Sequence, residues 1–272
     1  MMKRSPIAVV GMAGIFPGAP DLPTYWRNIV AKFDANRKVP PNRWVAGAER
    51  MVTRTPTPDR AFHRRGCFVD PVACDPTGFD LPPHLLKDLD PMVHMVLSVG
   101  RTAVSGPRPI RFNRKRAGVV LAAIALPTDG ASALSRDLIR GLIEQQLFGS
   151  ATYRSPSETQ QLASRVTALP ATMLARGLGL GGGAFTLDAA CASSLYAVKL
   201  ACDELAARRA DAMLAGGVSR PDCLYTQVGF SQLRALSASG RCAPFDRSAD
   251  GLVVGEGAGI LVLKRLEDAL AD

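Results

Sequence analysis

Residues 184–205 read AFTLDAACASSLYAVKLACDEL, and Cys191 stands at the one point in this stretch where a thiol can be made reactive. Ala184–Leu187 is a short apolar run with Phe and Thr, the profile of a buried strand. From Ala192 onward Leu195, Val198, Cys202 and Leu205 recur at three- and four-residue steps, which predicts a helix. Arg208 and Arg209 close its last turn, where cations suit the helix dipole. Cys191 therefore falls on a tight strand-to-helix turn. Unpaired backbone N–H groups and the positive dipole end favour thiolate there, against an ordinary thiol pKa of about 8.5. Ala189, Ala190, Ala192 and Ser193 leave room for a carbonyl to approach the sulfur. The chemistry this predicts is covalent, a thiolate attacking an acyl carbon. The competing reading is a buried structural cysteine, a common fate of free Cys.

The rest of the chain must build the sheet and helices that hold this turn. Periodicity predicts strands at Ile7–Val10, Gly118–Ala125, Ala212–Ala215 and Gly259–Lys264. It predicts helices at Leu22–Lys32, Pro91–Val104, Ser135–Phe148, Ser157–Arg176 and Leu224–Ala235. A long Pro- and Arg-rich connection occupies Val39–Arg65. Alternating strands and helices argue an α/β fold with a mostly parallel sheet covered on both faces. At 272 residues the chain suffices for one large domain or two small ones. A composition 47% hydrophobic but only 6% aromatic, with 25 Gly, suits close helix–sheet packing.

Other chemistries fit less well. Six cysteines lie at 67, 74, 191, 202, 223 and 242 with no CxxC pair, which argues against a zinc ribbon and a thioredoxin motif. His63, Cys67, Cys74 and His84 match no usual zinc spacing, so no metal is expected. Scattered free thiols point to a reducing cytoplasm. Lys3 and Arg4 followed by IAVVGMAGIF mimic a signal peptide, but the run is short and broken by Gly, which favours a buried first strand. No run reaches transmembrane length. The net charge is +9, with the densest basic cluster at Arg108, Arg111, Arg114, Lys115 and Arg116. Aromatic residues do not cluster beside it, so it reads as a solvated loop and no nucleic-acid partner is expected. The glycine-rich stretches around Gly11, Gly181 and Gly257 lack the order and spacing of a nucleotide loop. Turns and close backbone packing explain them better.

DAACASSLYAVKLACDEL resembles the active-site segment of β-ketoacyl synthases, specifically the ketosynthase domains of polyketide and polyunsaturated-fatty-acid synthases. Four more segments match in order: IAVVGMAGIFPGAPDLPTYWRNIV, RRGCFVDPVACDPTGFDLPPHLLKDLDPMVHMVL, LAGGVSRPDCLYTQVGFSQLRALSASGRCAPFDRSADGLVVGEGAG and ILVLKRLEDALAD. The third of these looks carrier-protein-dependent rather than like the coenzyme A enzymes that share the fold.

The resemblance implies a thiolase-like, αβαβα layered fold. Residues 1–272 would be its N-terminal half-domain, a mostly parallel mixed sheet covered by helices. It implies Cys191 as the residue that takes the acyl chain, its backbone N–H as an oxyanion donor, and Phe230 at the border of the acyl pocket. No cofactor is bound; substrates arrive as phosphopantetheine thioesters on acyl carrier protein. The reaction is a decarboxylative Claisen condensation of acyl-Cys with malonyl-acyl carrier protein, by a homodimer. No membrane partner is implied. The family also uses two histidines, in HGTGT-like and GH motifs. His63, His84 and His94 all precede Cys191 and match neither. The chain thus reads as the nucleophile-bearing half with the C-terminal half missing: a truncated chain, a gene fragment or one part of a split enzyme. The alternative is a non-catalytic half that pairs with a partner chain.

Overall fold

A computed structural model of the chain describes residues 6–41, 43–53, 55, 57–106, 110–149, 156–163 and 168–272. In chain order its strands and α-helices are β1 (Ile7–Ile15), α1 (Leu22–Val30), β2 (Arg37–Lys38), α2 (Ala48–Met51), β3 (Arg65–Gly66), α3 (Pro83–Asp88), α4 (Pro91–Val104), β4 (Ala117–Ala122), α5 (Asp129–Phe148), α6 (Glu158–Ala163), α7 (Leu169–Gly177), β5 (Ala184–Leu187), α8 (Ser193–Ala206), β6 (Ala212–Ser219), α9 (Cys223–Gln232), β7 (Gly257–Arg265) and α10 (Leu266–Ala271). The chain divides into two compact units. One comprises Met1–Gly14, Val72–Val218 and Ala258–Asp272, the other Ile15–Pro71 and Ser219–Gly257.

The first unit is built on a sheet of strand order β1-β7-β6-β4-β5 among the described residues. Strand β4 runs parallel to both neighbours, with Val119 opposite Ala184 of β5 and Leu214 of β6. Every residue of β4 is buried. Successive strand side chains point to opposite faces, so burial at all positions means cover on both. Val120 and Ala122 pack with Ala197, Ala201 and Leu205 of α8 and with Met213, Ala215 and Leu263. Val119 and Leu121 point the other way. There α7 lies against β4 and β5 and packs on α4. A Cβ on Gly100 of α4 would come within 2.3 Å of Leu174, so only glycine lets these two helices approach so closely. Asp90 caps α4 through Met92 N–H at 2.8 Å and accepts from Gly130 N–H at 3.0 Å, tying two helix starts together.

The second unit has little regular structure. β2 and β3 pair antiparallel, with Arg37 opposite Gly66. Fully buried Gln227 of α9 donates to the Arg65 carbonyl at 2.9 Å, and Ser231 accepts from Phe62 N–H at 3.1 Å. Arg43 and Glu256 form an ion pair with side chains 11% and 5% exposed, and Glu256 also accepts from Val69 N–H at 3.0 Å. Trp44 donates its indole N–H to Cys223 Sγ at 3.2 Å.

Helix α4 and strand β5 have the boundaries that the sequence pattern predicts. Elsewhere the differences have physical reasons. Of the helix expected over Ser157–Arg176, α6 covers Glu158–Ala163, and α7 begins at Leu169 with Pro170 in its first turn, where a missing N–H costs nothing. Helix α5 starts six residues before the expected Ser135, because Thr128 caps it through Ala131 N–H at 3.2 Å. Strand β1 continues to Ile15, and as an end strand of the sheet it leaves Val9 and Met12 about half exposed rather than buried. On α8 the buried stripe is Ser193, Ala197, Ala201 and Leu205, while Leu195 faces out. Arg208 and Arg209 lie past the end of α8, and Arg209 instead pairs with Glu204 at 2.8 Å.

Strand β6 meets β7 where Gly216 cannot carry a side chain: its Cβ would lie 2.0 Å from the Gly259 carbonyl oxygen. Gly141 of α5 has open space at the same position. Urea unfolding is therefore expected to show Gly216→Ala destabilised by about 3 kcal/mol, the upper end for overpacking. Gly141→Ala is expected to gain about 0.5–1 kcal/mol from reduced helix-interior entropy cost. Equal midpoints for the two variants would contradict this packing.

Candidate active site

The site is a turn that follows β5, which as an end strand of the sheet has no fully buried residue, unlike the buried strand that its apolar run predicts. Beyond the last ladder pair, Ala122 with Leu187, Ala123 N–H still reaches the Leu187 carbonyl at 3.1 Å. The next residue, Asp188, then turns its carboxylate back: one oxygen accepts from Ala125 N–H and the other from Ala190 N–H, each at 2.8 Å. Ala190–Ala192 makes a 3₁₀ turn that runs directly into α8. Ser193, buried, accepts from Ala189 N–H and donates to the Ala190 carbonyl, both at 2.7 Å. Ala190 itself has φ +51°, the left-handed region that disfavours side chains. Cys191 emerges from this turn exposed, at the N-terminal, positive-dipole end of a 14-residue helix.

Four of the other five thiols are at least partly buried. Burial pushes Cys67, Cys74 and Cys202 up, and Cys223 furthest, to about 12. Cys242 is the other exposed cysteine. The two backbone N–H groups on Asp188 hold its carboxyl below the ordinary carboxylate value of 3.8.

The remaining sequence-derived candidates are divided between the two units. Phe230 is half-buried on α9, in the second unit, whereas Cys191 belongs to the first. His63 and Cys67 lie in the second unit, Cys74 and His84 in the first. His94 shares a 2.6 Å hydrogen bond with the Leu86 carbonyl, a packing role on α4. His63 is held below its ordinary pKa by burial. Arg108 lies outside the described residues. In the rest of its basic cluster Arg114 donates to the Leu178 carbonyl at 2.8 Å and Arg116 pairs with Asp211 at 2.6 Å, so these two cations are structural. Asp188 and Ser193 are the site residues that sequence reasoning missed as functional. The Asp three residues before the nucleophile and the Ser two after it were visible, but not what they bond.

An exposed cysteine on a strand–turn–helix junction, beside a strand buried on both faces, is an α/β arrangement. The chain belongs to the β-ketoacyl synthase family: the family model for the β-ketoacyl synthase N-terminal domain matches residues 4–269. It is 38% identical over 98% of its length to a phenolphthiocerol/phthiocerol polyketide synthase of Mycobacterium tuberculosis, of which it covers 16%. It is 32% identical to the non-reducing polyketide synthase terA of Aspergillus terreus, covering 12% of that protein. Among solved structures, the PfaC keto synthase–chain length factor superposes with a TM-score of 0.89 at 33% identity, over 98% of this chain and 30% of that one. The module 6 ketosynthase of the Bacillus subtilis bacillaene synthase gives 0.74 at 29%, over 98% and 41%. The chain thus spans a small part of its curated relatives. Its fold is the thiolase-like fold of ketosynthases.

Two outcomes are expected of the site. With limiting iodoacetamide at neutral pH, peptide mapping should find Cys191 modified first and Cys223 unmodified until the protein is denatured. Modification of Cys223 at the pace of Cys191 would contradict the assignment. The second concerns acid. A depressed folded-state pKa means that the Asp188 bonds are present above the ordinary carboxylate value and are lost only as pH falls through the lower folded one. The Ala190 amide should therefore stay protected from deuterium exchange down to pH 3.8 and lose protection below it. Loss at higher pH would show that the carboxylate does not hold the turn.

Proposed function

We propose that this chain is the nucleophile-bearing part of a polyketide-synthase ketosynthase, with Cys191 as the acyl acceptor. The observation that carries the reading is the exposed Cys191 on its braced turn at the start of α8, in a chain matched by the ketosynthase family along its length. In the first step the Cys191 thiolate attacks the carbonyl carbon of an acyl chain held as a phosphopantetheine thioester. The Cys191 N–H, at the helix start, supports the developing oxyanion. Collapse of the tetrahedral adduct expels the pantetheine thiolate, which takes up a proton, and leaves acyl-Cys191. In the second, malonyl on acyl carrier protein loses carbon dioxide, and the resulting enolate carbon attacks the acyl carbon. The C–S bond breaks, the Cys191 thiolate is restored, and the product is a β-ketoacyl thioester longer by two carbons.

The partners follow from that chemistry: acyl carrier protein as the donor of both substrates, in the cytoplasm, without a bound metal or cofactor. Homodimerisation is part of the reading. Strand β5 stands at the end of the sheet with Phe185 41% exposed, a row able to take a further strand. Phe230 remains the proposed wall of the acyl pocket.

The two steps make different demands on these 272 residues. Acylation needs a thiolate and an oxyanion donor. Carbanion stabilisation in the family uses histidines of HGTGT-like and GH motifs, and His63, His84 and His94 match neither; His94 is bonded to a backbone carbonyl instead. Loss of one general acid–base group costs roughly 10²–10⁴-fold. The 272-residue polypeptide incubated with acyl and malonyl carrier protein is therefore expected to gain an acyl mass on Cys191, slowly, and to form no β-ketoacyl product. Cys191→Ala abolishes the mass gain. Acylation that persists in this variant would refute the nucleophile, and absence of any acylation of the folded wild-type chain would favour the non-catalytic, partner-pairing half.

A further inference from the structure

We infer that Asp188 is a positioning residue for the nucleophile: with Ser193 it clamps Ala190 in the left-handed conformation that presents Cys191. The inference rests on the reading of Cys191 as the reactive thiol and adds the groups that aim it. The described residues with positive φ other than glycine are Lys32, Asp59, Ala190, Arg208, Arg234 and Phe245. Lys32, Arg208 and Arg234 follow the ends of α1, α8 and α9, where a left-handed residue is an ordinary way to stop a helix. Ala190 comes at the beginning of one. It has a Cβ to crowd the backbone and no polar side chain to stabilise the conformation locally. The support must come from its neighbours, and four hydrogen bonds supply it.

The Ala190 N–H is taken by one Asp188 oxygen and its carbonyl by the Ser193 hydroxyl. The Ala189 N–H is taken by the same hydroxyl, and the second Asp188 oxygen is anchored to Ala125 N–H just beyond β4. Both flanking peptides of Ala190 are thus pinned, one of them to the sheet. The peptide that follows Ala190 carries the Cys191 N–H. Relaxation of Ala190 to negative φ would swing that N–H and the sulfur together. Asp188 touches no reacting atom in this scheme; it acts by fixing a backbone angle.

The test is the rate of iodoacetamide alkylation of Cys191 divided by that of Cys242, the exposed thiol of the other unit, read by peptide mass spectrometry. In the wild-type chain this ratio is expected to exceed one. A ratio of one or less overturns the nucleophile reading and this inference with it. Given a ratio above one, Asp188→Ala is expected to lower it roughly tenfold, the scale of a lost hydrogen bond to a charged group. Asp188→Asn, which keeps one acceptor oxygen, is expected to lower it less. The deciding variant is Asp188→Ala combined with Ala190→Gly. Glycine takes positive φ without a clamp, so the ratio should return to within about twofold of wild type. A merely structural role of Asp188 would not be rescued by removing a methyl group two residues away. An unchanged ratio in both single variants, or no recovery in the double variant, overturns the positioning role while leaving Cys191 as the nucleophile. Cys223 remaining unmodified in each variant identifies a folded protein, and if Asp188→Ala fails this criterion the Asp188→Asn ratio decides.

Discussion

The burial of β4 on both faces is the constraint from which the rest of the first unit follows. A strand with no exposed residue must find hydrogen-bonding neighbours on both edges and apolar cover above and below. β5 and β6 supply the edges; α8 and α7 supply the cover. Once β5 is in parallel register with β4, its last residues end at a defined height beside Ala123 and Ala125. The turn that carries Cys191 is thereby positioned from a fully buried strand.

The helix that follows is seated by small side chains. Ser193, Ala197 and Ala201 face the sheet at four-residue steps and let the α8 axis come close, with Leu205 filling the far end. Close seating has a cost in side-chain burial, which Ser193 partly offsets by satisfying two backbone groups of the turn. Packing and positioning therefore use the same residue. At the other end of the unit charges do the fastening: Arg265, 6% exposed, reaches the Leu205 and Ala210 carbonyls and the Asp211 and Asp268 carboxylates. A buried guanidinium with so many acceptors satisfies its desolvation cost locally, whereas removal of one carboxylate would leave charge uncompensated.

How much of this could be read from the residues depends on how local each cause is. The Asp90–Pro91 pair marks the start of α4 by itself, and AFTL between glycines and DAAC marks β5, so both elements were legible to the residue. The start of α5 was hidden because Gly130 imitates a turn, although Thr128 caps the helix two residues earlier. Leu195 looked like a core residue because it is large and falls at helical spacing; the sheet selects alanines instead, for distance. Cys191 was legible as a candidate from type and position, with the family resemblance adding its expected role, and the structure leaves it exposed at the start of α8. Its bracing was not. The partner of Asp188 lies 63 residues upstream, and an alanine gives no sign of standing at positive φ. Phe230 and Cys191 fall in different units, a division that no periodicity announces.

The chain's two tryptophans carry a consequence for spectroscopy. Trp26 is on α1, two-thirds exposed, and Trp44 is half-buried with its indole against the Cys223 sulfur, a contact able to quench emission. Both belong to the second unit. Tryptophan emission therefore originates wholly in the second unit, and it brightens or shifts as the surroundings of α1 and α9 change.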